Sequence, residues 1–486
     1  MSDQWPRLLS TFFAFCIPGV ALGGEDASQS PTASSVGEKD ATEDNRGIFS
    51  AVTWQHSSNL SLTATEGVDP NRVSFLPTRE LRLTDKAKVI LNSTSLIWNV
   101  RIQINRNLMT KSEFIDDPYT VKPTTLPNGS IIGKGYQLMV QEAYVQESHE
   151  KWLLQVGSQL FGWGSADSIN PMAVFNPPDL RLGFIGEKET KVAPIPAAKF
   201  ALMADGSTLN FVYAPWRRAP LTPSYGQNWY VTADNFAFNS NLQPNDRVDS
   251  KGSVAIKYDR TIPDGDISIL YYRGADYDVT GIISGLLVEN NQPLVLDINQ
   301  VVPDKTSLGA SYTQTFGKWV MKAESLYTLN KQVLPSIDAN KIEDQSFPIG
   351  LRSTPAYQIT AGFNYFSAIR DFFGIPLGDT VFTAEYYRSR LLAKDTTRPF
   401  VSDLLLTNIR TSFLDDRLET LLSYVVDIGA NGSSFIGKLT YAGESLRHGL
   451  TYSSFDGRKP STNQIGSLFY YWRTNDHISY EISYPI

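Results

Sequence analysis

Ile478-Ser479-Tyr480-Glu481-Ile482-Ser483-Tyr484-Pro485-Ile486 closes the chain, and its reading decides the fold. Ile478, Tyr480, Ile482, Tyr484 and Ile486 fall on one face of an extended strand; Ser479, Glu481 and Ser483 fall on the other. A strand that runs out to a terminus needs partners along both edges, because an open edge invites aggregation. A closed barrel supplies both. The alternation therefore predicts an all-β fold, a transmembrane antiparallel β-barrel with lipid outside and water inside, as in a bacterial outer membrane.

Short alternating runs recur upstream. Leu418, Thr420, Leu422, Tyr424 and Val426 share one face, and Glu419, Ser423 and Asp427 the other. Val254, Ile256 and Tyr258 oppose Ser253, Lys257 and Asp259, and Trp319, Met321 and Tyr327 oppose Lys322 and Glu324. Leu405, Ile409 and Phe413 oppose Asn408 and Arg410; Phe435, Leu439 and Tyr441 oppose Ser434, Lys438 and Thr440. Leu468, Tyr470 and Trp472 read as a further strand opposing Ser467 and Arg473. The runs count to about nineteen, and single-chain bacterial barrels use even numbers, so about eighteen strands are expected, with sixteen the nearest alternative.

Connections alternate in length. Gln146–Lys151, Ala204–Gly206, Phe316–Lys318, Leu414–Arg417 and Ala442–Ser445 read as tight turns. Asn107–Tyr136, Gly162–Ile195, Pro215–Lys251, Gly274–Ser307 and Asn330–Ala356 read as long loops. Short periplasmic turns and long extracellular loops are the outer-membrane pattern.

Composition fits. The 486 residues include 23 Tyr, 25 Phe and 9 Trp, the rings that line membrane interfaces. Mean hydropathy is −0.21, as a barrel whose every second strand residue is polar should show. Residues 1–23 read as a signal peptide, with Arg7 before an apolar run and Ala21-Leu22-Gly23 as a cleavage site. The single cysteine, Cys16, lies within it, so disulfides and thiolate metal sites are excluded from the mature chain. Residues 24–47 are poor in large apolar groups and read as a disordered periplasmic lead-in. The barrel is expected over 48–486. A net charge of −7 without a basic tail argues against nucleic acid.

On the polar faces both signs occur: Lys257, Lys322, Arg410, Lys438, Arg447 and Arg473 against Glu324, Glu385, Glu419 and Glu481. Mixed charge suits a water-lined path. The four histidines, His56, His149, His448 and His477, lack a hydrolase context, and no phosphate-loop or zinc-protease motif occurs. An enzyme is not expected, nor a cofactor or metal.

The most distinctive segment runs from Gln155-Val156-Gly157-Ser158-Gln159 through Gly162-Trp163-Gly164, Asp167, Asn170-Pro171 and Asn176-Pro177-Pro178-Asp179. Glu187-Lys188 and Pro194-Ile195-Pro196-Ala197 follow. It resembles a porin-like family of proteobacterial outer-membrane proteins of unassigned function, in which a Gly-x-Gln strand leads into Trp-Gly-x-x-Asp, a Pro, and Asn-Pro-x-Asp. The match covers about residues 150–215. Ser158 stands where the family often has Arg, and Pro485-Ile486 where a terminal Phe is usual.

The resemblance implies a barrel, and an exporter as a further partner, because many members are encoded near exporters. Physically, the glycines permit tight turns, the prolines fix the path, and the Asn and Asp side chains can satisfy loop amides. By analogy with porins, the segment is expected to be an inward-folded third loop, about 162–195, that narrows the lumen. Constriction and lumen candidates are Trp163, Asp167, Asn176, Asp179, Lys257, Lys322, Glu324, Arg410, Glu419, Lys438 and Arg473. The expected function is passage of a small solute. The alternative is a non-conducting or partner-gated barrel with an envelope or export-accessory role. Expected partners are outer-membrane lipid and the barrel-assembly machinery, engaged through the strand from Ile478 to Ile486.

Overall fold

A computed structural model describes residues 52–67, 78–105, 124–125, 131–133, 136–167, 169–180, 192–217, 219–221, 251–278, 280–287, 295–335, 348–368, 377–393, 403–414, 416–458, 467–473 and 475–485. The expected signal peptide and lead-in, with Glu187, Lys188 and Ile486, lie outside the described residues.

The first strands are β1 (Val52–Gly67), β2 (Thr78–Leu91), β3 (Thr94–Asn105), β4 (Thr124–Thr125), β5 (Ile131–Gly133), β6 (Tyr136–Ser148) and β7 (Trp152–Gln159). Next come β8 (Ile195–Ala204), β9 (Ser207–Ala214), β10 (Ser253–Ile262), β11 (Gly265–Ala275), β12 (Thr280–Leu287), β13 (Val295–Val301) and β14 (Asp304–Phe316). The last are β15 (Trp319–Val333), β16 (Arg352–Ala368), β17 (Leu377–Leu391), β18 (Asp403–Phe413), β19 (Leu418–Asp427), β20 (Gly432–Ala442), β21 (Arg447–Gly457), helix α1 (Leu468–Trp472) and β22 (His477–Pro485).

Eighteen of these strands pair antiparallel with their neighbours in chain order and close into one barrel. The hairpin β4–β5 leans on β6, and β12–β13 forms a separate two-stranded ribbon. Closure is made by the C-terminal strand: β22 pairs with β21 (His448 opposite Ile482) and with β1 (Leu60 opposite Tyr484, Thr65 opposite Ser479). No barrel strand is left with an open side, which answers the edge problem posed by the sequence.

The tight turns gather at one end. Asn92, Asp205, Gly206, Asp264 and Gly317 all have positive φ there, the conformation that two-residue hairpin loops require. The long connections gather at the other end, with two exceptions: β19 and β20 are joined there by only Ile428–Asn431, and β16 and β17 are joined at the turn end by the eight residues 369–376.

Outward side chains are predominantly apolar, and polar ones turn inward, except where an inward apolar cluster forms. On β19, Leu422 and Tyr424 are exposed while Ser423 and Asp427 are buried; on β22, Ile478, Tyr480 and Tyr484 are exposed while Ser479 and Ser483 are buried. A soluble barrel does the reverse, so this is the arrangement of a barrel surrounded by lipid. Aromatic rings mark both limits of the apolar band. Near the turns, Trp319 packs on Tyr365 (4.5 Å between ring centroids) and Phe363 (5.1 Å). Toward the loops, Tyr213, Tyr271, Tyr327 and Tyr424 face out. From Trp319 to Tyr327 along β15 is roughly 27 Å of strand, or about 20 Å of height at a tilt of roughly 40°, close to the ~25 Å band of such barrels. Among the described residues no helix is long and apolar enough to cross a membrane.

The sequence reading is corrected at Ser467–Arg473. This stretch is not a strand but α1, capped by the Ser467 hydroxyl, which accepts from the Phe469 amide (3.4 Å). The apparent alternation fails because Phe469 and Tyr471 are apolar too, so the sequence offers no polar face to turn to water. Leu468, Phe469, Tyr470 and Trp472 are all buried, and Phe455 of β21 stacks on Phe469 and meets Trp472 edge-on. His477 opens β22 and is buried.

Candidate functional site: the inner wall and the segment held against it

Beyond β7 the chain turns onto the inward-facing side chains. Gly157 starts this: its φ is +143°, and a Cβ there would lie 2.2 Å from the Ala143 carbonyl oxygen, so only glycine fits. Phe161, Trp163, Met172 and Phe175 then form a buried cluster with inward residues of five strands: Ile195, Val212, Ala255, Tyr272 and Leu326. Phe175 meets Phe161 (4.8 Å), Trp163 (5.5 Å) and Tyr272 (5.7 Å) edge-on, the favoured geometry for aromatic pairs.

Polar side chains shape the segment. Asn170 accepts from the Met172 amide (3.0 Å) and donates to the Trp163 carbonyl. Buried Asn176 accepts from the Phe161 amide (2.6 Å) and donates to the carbonyls of Gln159 (3.1 Å) and Ala193 (3.0 Å), tying both ends of the excursion together. Asp179 is buried where the backbone runs beside Leu221: the Leu180 amide donates to Leu221 (2.7 Å) and the Leu221 amide to Pro178 (3.0 Å).

Wall side chains on β15, β16 and β17 fasten the tip. Glu324, 2 % exposed, accepts from the amides of Ser165 and Ala166, the latter at 2.7 Å. Glu385 accepts from the Asp167 amide (2.8 Å). Asp167 accepts from Lys322 Nζ (2.6 Å) and Asn364 Nδ2 (2.9 Å), and Thr360 Oγ1 donates to the Ile169 carbonyl (2.8 Å). Trp163, Asp167, Lys322 and Glu324 are thus brought to one place, joined by Glu385, Asn364 and Thr360.

The remaining candidates lie elsewhere. Lys257 pairs with Asp259, which also accepts from Asn210 (3.1 Å) and Ser268. Arg410 of β18 and Glu419 of β19 pair diagonally at 3.4 Å, each about one-third exposed at 31 % and 29 %. Lys438 is half-buried on β20, opposite Leu421 of β19. Arg473 leaves the group: it follows α1, donates to the Tyr470 carbonyl (2.6 Å) and lies over the Tyr470 ring (3.9 Å).

Sequence reading did not single out a buried ionic cluster at the long-loop end. Asp276, 1 % exposed, meets Lys305 (3.2 Å) and Lys331 (2.8 Å), and Lys331 also meets Asp278. Burial works against the Asp276 carboxylate, yet Lys305 and Lys331 hold it below the ordinary aspartate value.

Two arrangements bear on chemistry. His56, Ser58 and Asp85 meet on the outer face, but the same His56 Nε2 contacts both Asp85 (2.6 Å) and Ser58 (3.1 Å). One nitrogen cannot take a serine proton while donating to the carboxylate, so this is no relay. Among the described residues no group of three or more His, Cys, Asp and Glu side chains could hold a metal ion.

An eighteen-stranded antiparallel barrel with a predominantly apolar outer face defines the class: a transmembrane β-barrel. No protein-family model and no curated protein matches the chain. Among solved structures it resembles outer-membrane porins. A BenF-like porin from Pseudomonas fluorescens Pf-5 is 10 % identical over 90 % of this chain and 100 % of that one, with a TM-score of 0.46. Acinetobacter baumannii OccAB3 is 12 % identical over 89 % and 99 % (TM-score 0.43). Pseudomonas aeruginosa OccK2 (OpdF), solved in complex with glucuronate, is 11 % identical over 89 % and 98 % (TM-score 0.43).

Proposed function

We propose that the protein is an outer-membrane channel that passes a small polar solute past the segment around Trp163. The observation that carries this is the exposure of two inward charges. The segment is fastened to β15–β17 and packs on β8–β11, and Arg410 and Glu419, inward on the adjacent β18 and β19, stay about one-third exposed, while Asn408 and Ser423, nearer the loops on the same strands, are buried. Charged side chains facing inward with that much exposure require water beside them. A barrel of this strand number has room for it, since barrels of sixteen to eighteen strands enclose aqueous channels.

In this reading the tight turns face the periplasm and the long loops the exterior. The segment around Asp167 is the narrowing third loop, and β22 is the strand read by the assembly machinery. The motif from Gln155 to Ala197 favours kinship with the porin-like family of unassigned function, and with it an export-associated partner. Swelling of liposomes containing the protein, with uncharged sugars of increasing size, tests the channel. Uptake of the small sugars with a sharp size limit is expected; no uptake by a folded barrel would refute it.

A further inference from the structure

The outward file of β17 changes character along its length: Phe382, Ala384 and Tyr386 give way, toward the long loops, to Arg388 and Arg390. Its neighbours on that face are Tyr357 and Ile359 of β16, opposite Arg390 and Arg388, and Asp403 and Leu405 of β18, opposite Arg388 and Tyr386. Asp403 is the one acid among the described outward residues of these three strands. It accepts from Tyr386 Oη (2.8 Å) and Arg390 Nη2 (2.6 Å), and lies 3.7 Å from Arg388 Nε. One carboxylate is therefore shared by two guanidinium groups. It is 10 % exposed while Arg388 is 45 % exposed, so among the described residues the charge presented here is positive.

We propose that Arg388 and Arg390 form a binding site for the phosphate group of a lipid in the leaflet on the long-loop side. This rests on the reading of the barrel as an outer-membrane protein. Two cations on a lipid-facing wall are expensive unless they sit at headgroup depth, and the Tyr357 and Tyr386 rings mark that depth. Side chains two apart on one strand are roughly 7 Å apart at the backbone, so both guanidinium forks can converge on one phosphate. Buried Asp403, with Tyr386 bonded to it, holds the pair in position. It also competes with the lipid for them.

The test is native mass spectrometry of the full chain in detergent, with lipid A carrying two phosphomonoesters and with the same lipid after dephosphorylation. Heat-modifiable gel migration is recorded on each sample as the check on folding. The phosphorylated lipid should form a resolved adduct. Its affinity should fall by about tenfold or more in the Arg388→Gln/Arg390→Gln variant. Removal of the lipid phosphates should abolish the adduct, and millimolar inorganic phosphate should not displace it.

Equal adducts in the wild type and the double variant, with both heat-modifiable, would overturn the lipid site and leave the barrel reading standing. So would displacement by inorganic phosphate. A wild-type chain that shows no heat-modifiable barrel would overturn the membrane reading, and the lipid site with it.

Discussion

Glu324→Gln is the most informative single change. The Glu324 carboxylate accepts from two successive backbone amides, those of Ser165 and Ala166, at 2 % exposure. Hydrogen bonds to a charged group contribute about 1.5–3 kcal/mol each. The amide keeps one acceptor, but neutral bonds are roughly half as strong. The substitution also relieves the cost of keeping a carboxylate out of water. The net weakening is about 1–2 kcal/mol, which raises the population of the released segment by roughly 5- to 30-fold. The other fastenings, Lys322 to Asp167 and Thr360 to Ile169, remain, so the barrel itself should be unaffected. Hydrogen exchange of the detergent-solubilised protein should show faster exchange confined to amides 161–176, with strand amides unchanged. Unaltered protection across that segment would refute the argument that Glu324 fastens it.

Other changes test other parts. Trp163→Ala removes a ring 8 % exposed and wedged between Phe161 and Phe175; about 3–5 kcal/mol of packing should be lost, read as added noise in single-channel current. Gly157→Ala forces a Cβ onto the Ala143 carbonyl at a left-handed φ, and should lower the yield of heat-modifiable barrel. Asp276→Asn leaves Lys305 and Lys331 with a neutral partner in a buried site; breaking such a site costs roughly 3–5 kcal/mol, measured as a lower thermal midpoint. Because the folded Asp276 carboxyl lies below its ordinary value of 3.8, its contribution is complete above that value and lost as pH falls beneath it. The gap between wild type and Asp276→Asn should therefore narrow between pH 5 and pH 2, and a constant gap would refute the assignment.

The sequence showed the barrel well because its signal is local. In β19 and β22 alternate residues fall on opposite faces, and a period of two needs no knowledge of partners. Turns such as Ala204–Gly206 were equally legible, since positive φ at Asp205 and Gly206 has a compositional mark. Alternation misled only at α1, where Leu468, Tyr470 and Trp472 have the right spacing but the residues between them are apolar as well. Nor did the sequence reveal the hairpin β12–β13 inside the Gly274–Ser307 loop.

What binds what was less legible. Lys322 and Asp167 stand 155 residues apart, and Ser165 and Glu324 159 apart, so strand order and register alone bring them together. The motif glycines and asparagines signalled an ordered segment; the wall residues that fasten it, Asn364, Thr360 and Glu385, carry no mark of that role in sequence. The same holds for Asp276, whose partners come from two other strands.

Single-channel conductance of the refolded protein in a planar bilayer tests the central claim most directly. The account predicts stable steps whose cation-to-anion permeability ratio falls in Glu419→Gln and rises in Arg410→Gln, because both side chains face inward and are partly exposed. A folded, heat-modifiable barrel that inserts and carries no current, or one whose selectivity ignores both substitutions, would contradict it.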